Sequence, residues 1–219
     1  MSEKKYKAVI FDLDGTLLNT LEDLKDSVNY ALKRYDMPKR SLEDIRHFVG
    51  NGVEKLVERA VPEGTEKEAG EKVFAAFKEY YTLHCNDKTG PYPGISSLLA
   101  DLKERGFQMA VVSNKLQEGV DALNEQYFKK YFSVAIGARE GIRKKPAPDT
   151  VLEALRILNI SGQEAVYVGD SEVDIATAAN ARMDCITVAW GFRTRKEQED
   201  AGATVFVEKP EDIISLLYR

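Results

Sequence analysis

The stretch Lys7-Ala8-Val9-Ile10-Phe11-Asp12-Leu13-Asp14-Gly15-Thr16 decides the fold. From Ala8 to Phe11 it is an unbroken apolar run, short enough for a strand. It lacks the alternation of a strand with one wet face, so it reads as a strand covered on both sides, as in a parallel sheet. Asp12 and Asp14 follow at once, with an Asp-Gly turn behind them. Runs of the same kind recur at Phe107–Val112, Val134–Ile136, Ala165–Val168, Cys185–Val188 and Thr204–Val207. Helical spacing alternates with them after Gly94: Leu98, Leu99 and Leu102 within Ser97–Arg105, Val151, Leu155 and Leu158 within Asp149–Leu158, and Val173, Ala176 and Ala179 within Glu172–Arg182. Strand and helix in alternation predict an α/β fold with a doubly wound, Rossmann-like parallel sheet.

The first gap is too long for that pattern. A βαβ unit takes about 30 residues, whereas roughly 95 separate the first two strands. The intervening stretch is helical throughout. Leu21, Leu24, Val28, Ala31 and Leu32 share one stripe; Ile45, Phe48 and Val49 begin another; Leu56, Val57 and Ala60 form a third; Val73, Phe77, Tyr80, Tyr81 and His84 form a fourth. Pro91-Tyr92-Pro93-Gly94 marks the return to the sheet. The expected organisation is an α/β core of residues 1–16 and 89–219, interrupted by a helical domain of residues 17–88.

Composition narrows the function classes. The 219 residues include 31 basic and 36 acidic ones, for a net charge of -5. A sequence-independent nucleic-acid binder carries a basic excess, so nucleic acid is not an expected partner. No apolar run approaches the ~18 residues that cross a membrane, and no apolar signal segment follows the polar start Met1–Lys7. Cys85 and Cys185 have no CxxC spacing and read as reduced thiols of a cytoplasmic protein. The sequence is compatible with a monomer or a homodimer.

In open α/β sheets, ligands bind outside the carboxyl ends of the strands. That edge collects Asp12 and Asp14 after the first strand, Ser113 and Asn114 after the second, Lys145 in the loop after the third, and Gly169, Asp170, Ser171 and Asp174 after the fourth. Each has an ordinary reading: Asp-Gly is a common turn, Asp170, Ser171, Ser113 or Asn114 can cap a helix, and most lysines are solvated. Four acids, one lysine and one serine arriving at successive strand ends make a poor structural motif and a good metal–phosphate site.

Four stretches, Phe11-Asp12-Leu13-Asp14-Gly15-Thr16-Leu17, Val112-Ser113-Asn114-Lys115, Lys145-Pro146-Ala147-Pro148 and Gly169-Asp170-Ser171-Glu172-Val173-Asp174, resemble the motifs of the haloacid dehalogenase superfamily, specifically its phosphatases, in the family's order. The helical insertion looks like the family's cap domain. Val49-Gly50-Asn51-Gly52 and Leu56-Val57-Glu58-Arg59-Ala60 resemble the cap of phosphoglycolate phosphatases. The resemblance implies hydrolysis of a small phosphorylated metabolite, with Asp12 as nucleophile and an aspartyl-phosphate intermediate. Asp14 is implied as general acid and then base. Mg²⁺ is implied on Asp12, Asp170 and the main-chain carbonyl of Asp14, with Asp174 holding metal-bound water or orienting Lys145. Ser113 and the main-chain N–H groups near Asp14 and Asn114 are implied at the phosphoryl oxygens, with Lys145 neutralising charge as it builds.

Dehalogenases of the superfamily lack an acid two residues after the nucleophile, because halide leaves without a proton; Asp14 therefore favours phosphoryl chemistry. Gly15-Thr16 and Gly52-Val53 lean away from β-phosphoglucomutases. Lys55 stands near the place where phosphonatases carry a Schiff-base lysine, but reads better as a solvated helical lysine. Gly50, Asn51 and Gly52 are expected to help choose the substrate, or to be a plain turn between helices. Arg46 and His47 are further cap residues able to meet a leaving-group carboxylate. The alternatives are a generalist sugar-phosphate or nucleotide phosphatase, an inorganic pyrophosphatase, a mutase, and a non-hydrolytic module phosphorylated on Asp12. Arg182 stands where the family often has glycine, so the helix before it needs another way to end.

Overall fold

The structure, a computed structural model, describes residues 3–218. In chain order it contains β1 (Ala8–Phe11), β2 (Leu18–Asn19), α1 (Leu21–Arg34), α2 (Leu42–Phe48), α3 (Val53–Ala60), α4 (Lys67–His84), β3 (Gly90–Pro91) and α5 (Ile95–Glu104). There follow β4 (Gln108–Leu116), α6 (Gln117–Leu123), β5 (Val134–Ala138), α7 (Asp149–Leu158), β6 (Ala165–Gly169), α8 (Glu172–Asn180), β7 (Asp184–Val188), α9 (Arg195–Asp200), β8 (Phe206–Val207) and α10 (Asp212–Leu216). Two compact units result: one from the chain up to Leu17 together with Pro91 onward, the other from Leu18–Gly90.

The first unit is built on six strands in the order β5-β4-β1-β6-β7-β8, all paired in parallel. β1 lies inside the sheet, with Phe11 level with Val111 of β4 on one side and Val168 of β6 on the other. All four of its residues are buried, which is why its sequence is uniformly apolar. Its alternate side chains feed two layers. Ala8 and Ile10 join a core with Val151 and Leu155 of α7 and Ala178 of α8. Phe11 meets Phe132 edge-on, with ring centroids 5.9 Å apart. Because neighbouring strands run the same way, the segments after β1, β4 and β6 emerge side by side.

Two local features differ from the sequence expectation. β4 does not stop at Val112; it runs to Leu116, with its pairing to β5 shifting register between Val112 and Leu116. Ser113, Asn114 and Lys115 therefore lie inside an irregular strand end. The helix α8 ends at Asn180, and Arg182 itself takes the left-handed conformation, with φ 55°. Its N–H donates to Ala179 O at 3.0 Å and the Met183 N–H donates to Ala178 O at 2.9 Å. This is the paired hydrogen-bond closure usually made around glycine, built here on arginine.

The second unit is four helices. Leu24, Val28, Ala31 and Leu32 of α1, Ile45 of α2, Leu56, Val57 and Ala60 of α3, and Val73, Ala76 and Phe77 of α4 are buried. Ser41 and Asp44 form a reciprocal capping box that starts α2. The far end of the fourth stripe is only half-buried: Tyr80 stacks between Tyr30 and His84, with centroids 4.1 Å away in each case. Asp23, buried, accepts the main-chain N–H groups of Lys88 and Thr89 and the Thr89 hydroxyl, tying the end of this unit back to its first helix. Among the described residues no helix is long and apolar enough to cross a membrane.

Candidate active site

Asp12 follows β1, and its N–H donates to Val168 O of β6 at 2.9 Å, continuing the ladder one step past the strand. The carboxylate thus stands at the sheet's carboxyl edge beside the end of β6, where Asp170 and Asp174 arise. Asp12, Asp170 and Asp174 are all buried, and one carboxylate oxygen from each lies within 4.8 Å of the others. Lys145, reaching in from the loop between β5 and α7, is buried as well. Its ammonium donates to Asp12 Oδ1 at 2.6 Å, to Asp174 Oδ1 at 2.7 Å and to the Tyr167 hydroxyl at 3.0 Å. Tyr167 in turn donates to Asp174 Oδ1 at 3.0 Å.

Each group is held by its neighbours. The Asn114 side-chain amide engages the main chain of Lys145: Nδ2 donates to Lys145 O at 3.0 Å, and Oδ1 accepts from Lys145 N at 2.8 Å. It therefore clamps the backbone that presents the lysine. Ser113 Oγ accepts the Lys115 N–H at 3.1 Å. Asp174 Oδ2 accepts from the N–H and hydroxyl of Ser171, fixing the start of α8. Asp170 Oδ2 accepts the Phe192 N–H at 2.6 Å, and its Oδ1 faces the Thr16 hydroxyl at 3.3 Å. Gln198, fully buried, donates to the main-chain carbonyls of Asp170 and Val188. The indole N–H of Trp190 donates to Thr16 O at 3.0 Å, joining the loop after β7 to the loop after β1.

The Trp190-Gly191-Phe192 loop after β7 thus braces Asp170 and the loop after β1. Lys115, Tyr167 and Gln198 were not singled out from sequence. The available signal was a polar side chain inside an otherwise apolar strand or helix face, which flags Tyr167 in β6 and Lys115 in β4.

Crowding shows in the ionisation of the cluster. Burial, then the Asp174 charge, push Asp12 well above the ordinary carboxylate range, against the pull of Lys145. Burial and Asp174 raise Asp170 to about 7. Burial also pushes Asp174 upward, but the Lys145 charge and the hydrogen bonds from Lys145, Ser171 and Tyr167 outweigh it and hold Asp174 low. For Lys145, the carboxylates of Asp12 and Asp174 overcome burial and keep it firmly charged. Counting Asp14, paired with Lys115 at 3.0 Å, four carboxylates face two ammonium groups. The donor set is hard oxygen, buried and short of positive charge, which suits a divalent cation such as those that prefer carboxylates and retained water.

Gly50, Asn51 and Gly52 belong to the helical unit, in the turn between α2 and α3. Gly50 and Gly52 have φ of 125° and 87°, so the turn needs residues without a Cβ. Asn51 Oδ1 accepts from Arg59 Nη2 at 2.7 Å, and Arg59 Nη1 donates to Phe48 O at 2.8 Å, which stitches the turn to α3. Arg46 and His47 both approach Glu43, at 3.7 and 3.1 Å. Lys55 pairs with Glu58 at 2.6 Å on an exposed helix face.

The buried carboxylates at adjacent parallel strand ends, with the lysine between them, define the class. The chain belongs to the haloacid dehalogenase-like hydrolase family, whose model matches residues 9–188. It is 30% identical to phosphoglycolate phosphatase 1 of Pseudomonas aeruginosa, over 95% of this chain and 78% of that one. It is also 30% identical to the phosphoglycolate phosphatase of Aquifex aeolicus, over 96% of each chain. A crystal structure from Lactobacillus delbrueckii subsp. bulgaricus, provisionally assigned as a phosphoglycolate phosphatase, superposes with a TM-score of 0.93 at 39% identity, covering 98% of this chain and 99% of that one. Within its family the protein is a phosphatase.

Proposed function

We propose that the protein hydrolyses a small phosphate monoester, phosphoglycolate first among them, through a phosphorylated Asp12. The observation that carries this is the Lys145 ammonium lodged between Asp12 and Asp174, at 2.6 and 2.7 Å, within the buried carboxylate cluster. A carboxylate is nucleophilic without a base to activate it. Its difficulty is charge: at ~3.5 Å and an effective dielectric of about 20, a carboxylate and a phosphate dianion repel by on the order of 9 kcal/mol. Lys145 opposes that repulsion with a positive charge fixed in place before substrate arrives. Mg²⁺, held by Asp12 and Asp170 with the Asp14 carbonyl and Asp174 alongside, would supply the rest of the neutralisation.

Asp12 Oδ attacks phosphorus as the ester oxygen departs; Asp14 gives that oxygen its proton. Asp14 then takes a proton from water, which attacks the phosphoryl group and returns Asp12 as a carboxylate. Ser113 is assigned to the phosphoryl oxygens, and Asn114 acts by keeping Lys145 in place. The helical unit is assigned the role of cap, with Gly50, Asn51 and Gly52 contributing to substrate choice. The names of the relatives support phosphoglycolate as the substrate.

The test is phosphate release from a panel of phosphomonoesters and pyrophosphate, with Mg²⁺ and with EDTA. We expect release that needs Mg²⁺, is greatest with phosphoglycolate, and disappears in Asp12→Asn. A flat profile would replace the substrate assignment with a generalist phosphatase, and release by Asp12→Asn would overturn the mechanism.

A further inference from the structure

Lys115 is a buried cation that the steps above leave without a task. Its side chain is 5% exposed, and its ammonium lies 3.0 Å from Asp14 Oδ1. Three features converge on placing it there. The Ser113 hydroxyl holds the Lys115 N–H at 3.1 Å. The register of β4 against β5 breaks between Val112 and Leu116, around this residue. Gly119, in the first turn of α6, leaves room for the lysine stem, since a Cβ there would stand 3.3 Å from both Cγ and Cδ of Lys115. A glycine inside a short helix weakens it, so space for the stem is being kept at a cost to α6. A buried ion pair contributes little net stability against well-packed apolar groups. Stability alone therefore gives no reason for this arrangement.

We propose that Lys115 is the positioning residue of Asp14: its ammonium fixes the carboxyl group in the rotamer from which the proton reaches the leaving oxygen. This rests on the proton-delivering role of Asp14 proposed above. Asp14 lies two residues past Asp12 in a loop, and its ammonium partner comes from the neighbouring strand β4.

Leaving-group dependence tests the proposal. The ratio kcat/KM covers the steps up to phosphorylation of Asp12, the only part in which a leaving group takes a proton. A p-nitrophenolate leaves without a proton, whereas an alkoxide requires one. Lys115→Met, assayed with Mg²⁺ on phosphoglycolate and p-nitrophenyl phosphate, is expected to lose roughly 10- to 100-fold more kcat/KM on the alkyl ester. The comparison is internal to one preparation, so partial unfolding cancels. Lys115→Gln, which keeps a shorter donor, serves if Lys115→Met does not fold, and the same selective loss is expected. Equal losses on both esters would overturn the proposal and leave Lys115 as a structural or general electrostatic residue. Asp14→Asn is run beside them. If it shows the selective loss and the Lys115 variants do not, positioning by Lys115 is wrong; if Asp14→Asn shows none, the acid role of Asp14 is what fails.

Discussion

Asp170 illustrates how a single side chain is set by residues far away in sequence. Gly191 is one of them: a Cβ there would lie 2.2 Å from Asp170 Cβ, and the same carboxylate takes the N–H of Phe192. Gly191→Ala must therefore displace Asp170. We expect it to weaken Mg²⁺ binding at least about tenfold, as disturbed supports of metal ligands do, measured by isothermal titration. Arg182 makes the opposite case, since its φ of 55° strains a residue with a Cβ. Arg182→Gly relieves that strain and adds freedom to the unfolded chain, for a net gain on the order of 0.5 kcal/mol, read as a higher urea midpoint with activity unchanged. The departure from the family pattern was visible in sequence; that the arginine would adopt the glycine conformation was not, because nothing local forbids another ending.

At the scale of elements, the capping turn before β6 carries a pH signature. Glu164 caps Ser161 and pairs with Lys7, and its carboxyl is held down at about 2, chiefly by the Lys7 hydrogen bond and then those of Ser161. A depressed carboxyl contributes stability above its unfolded pKa, and that contribution fades as pH falls from about 4.5 toward 2. Glu164→Gln should thus destabilise the protein at pH 7, with the difference shrinking by pH 3 in urea titrations; a constant difference would contradict the ionic origin. Strands were legible wherever burial on both faces left an unbroken apolar run, as in β1 and β6. The end of β4 was not, because Ser113, Asn114 and Lys115 are polar and their strand pairing depends on β5, about twenty residues later. Asp12, Ser113 and Asp170 lie at strand ends, where the apolar runs of the sequence stop; Lys145 lies in the loop after β5 and Asp174 in the first turn of α8. The contacts of Tyr167 and Gln198 were not legible, since they follow from register and from which face each side chain takes.

At the scale of the molecule, metal binding and folding should be linked. An ion that binds the folded carboxylate cluster stabilises it by about 2.7 kcal/mol at one hundred times its dissociation constant, or roughly 5–10 °C in Tm for a chain of this size. Mg²⁺ and Ca²⁺ should both raise Tm in the wild type and neither should in Asp170→Asn, while turnover follows Mg²⁺ alone because the larger Ca²⁺ shell misplaces the phosphoryl group. Calorimetry paired with phosphate release checks both halves. The helical unit, Leu18–Gly90, leaves one overlong gap between strands in the sequence.

That gap also orders events in time. β1, the strand on which both flanks of the sheet depend, emerges from the ribosome first, yet its partner β4 begins about a hundred residues later and β6 later still. At roughly 5–20 residues per second, an apolar strand with both edges open waits on the order of 5 to 20 seconds for its first neighbour. The intervening helices pack on one another and can assemble during that wait. Nascent chains that have emerged only as far as Phe107 should therefore hold a folded helical unit and an unpaired β1, and β1 is the segment a chaperone would have most reason to hold.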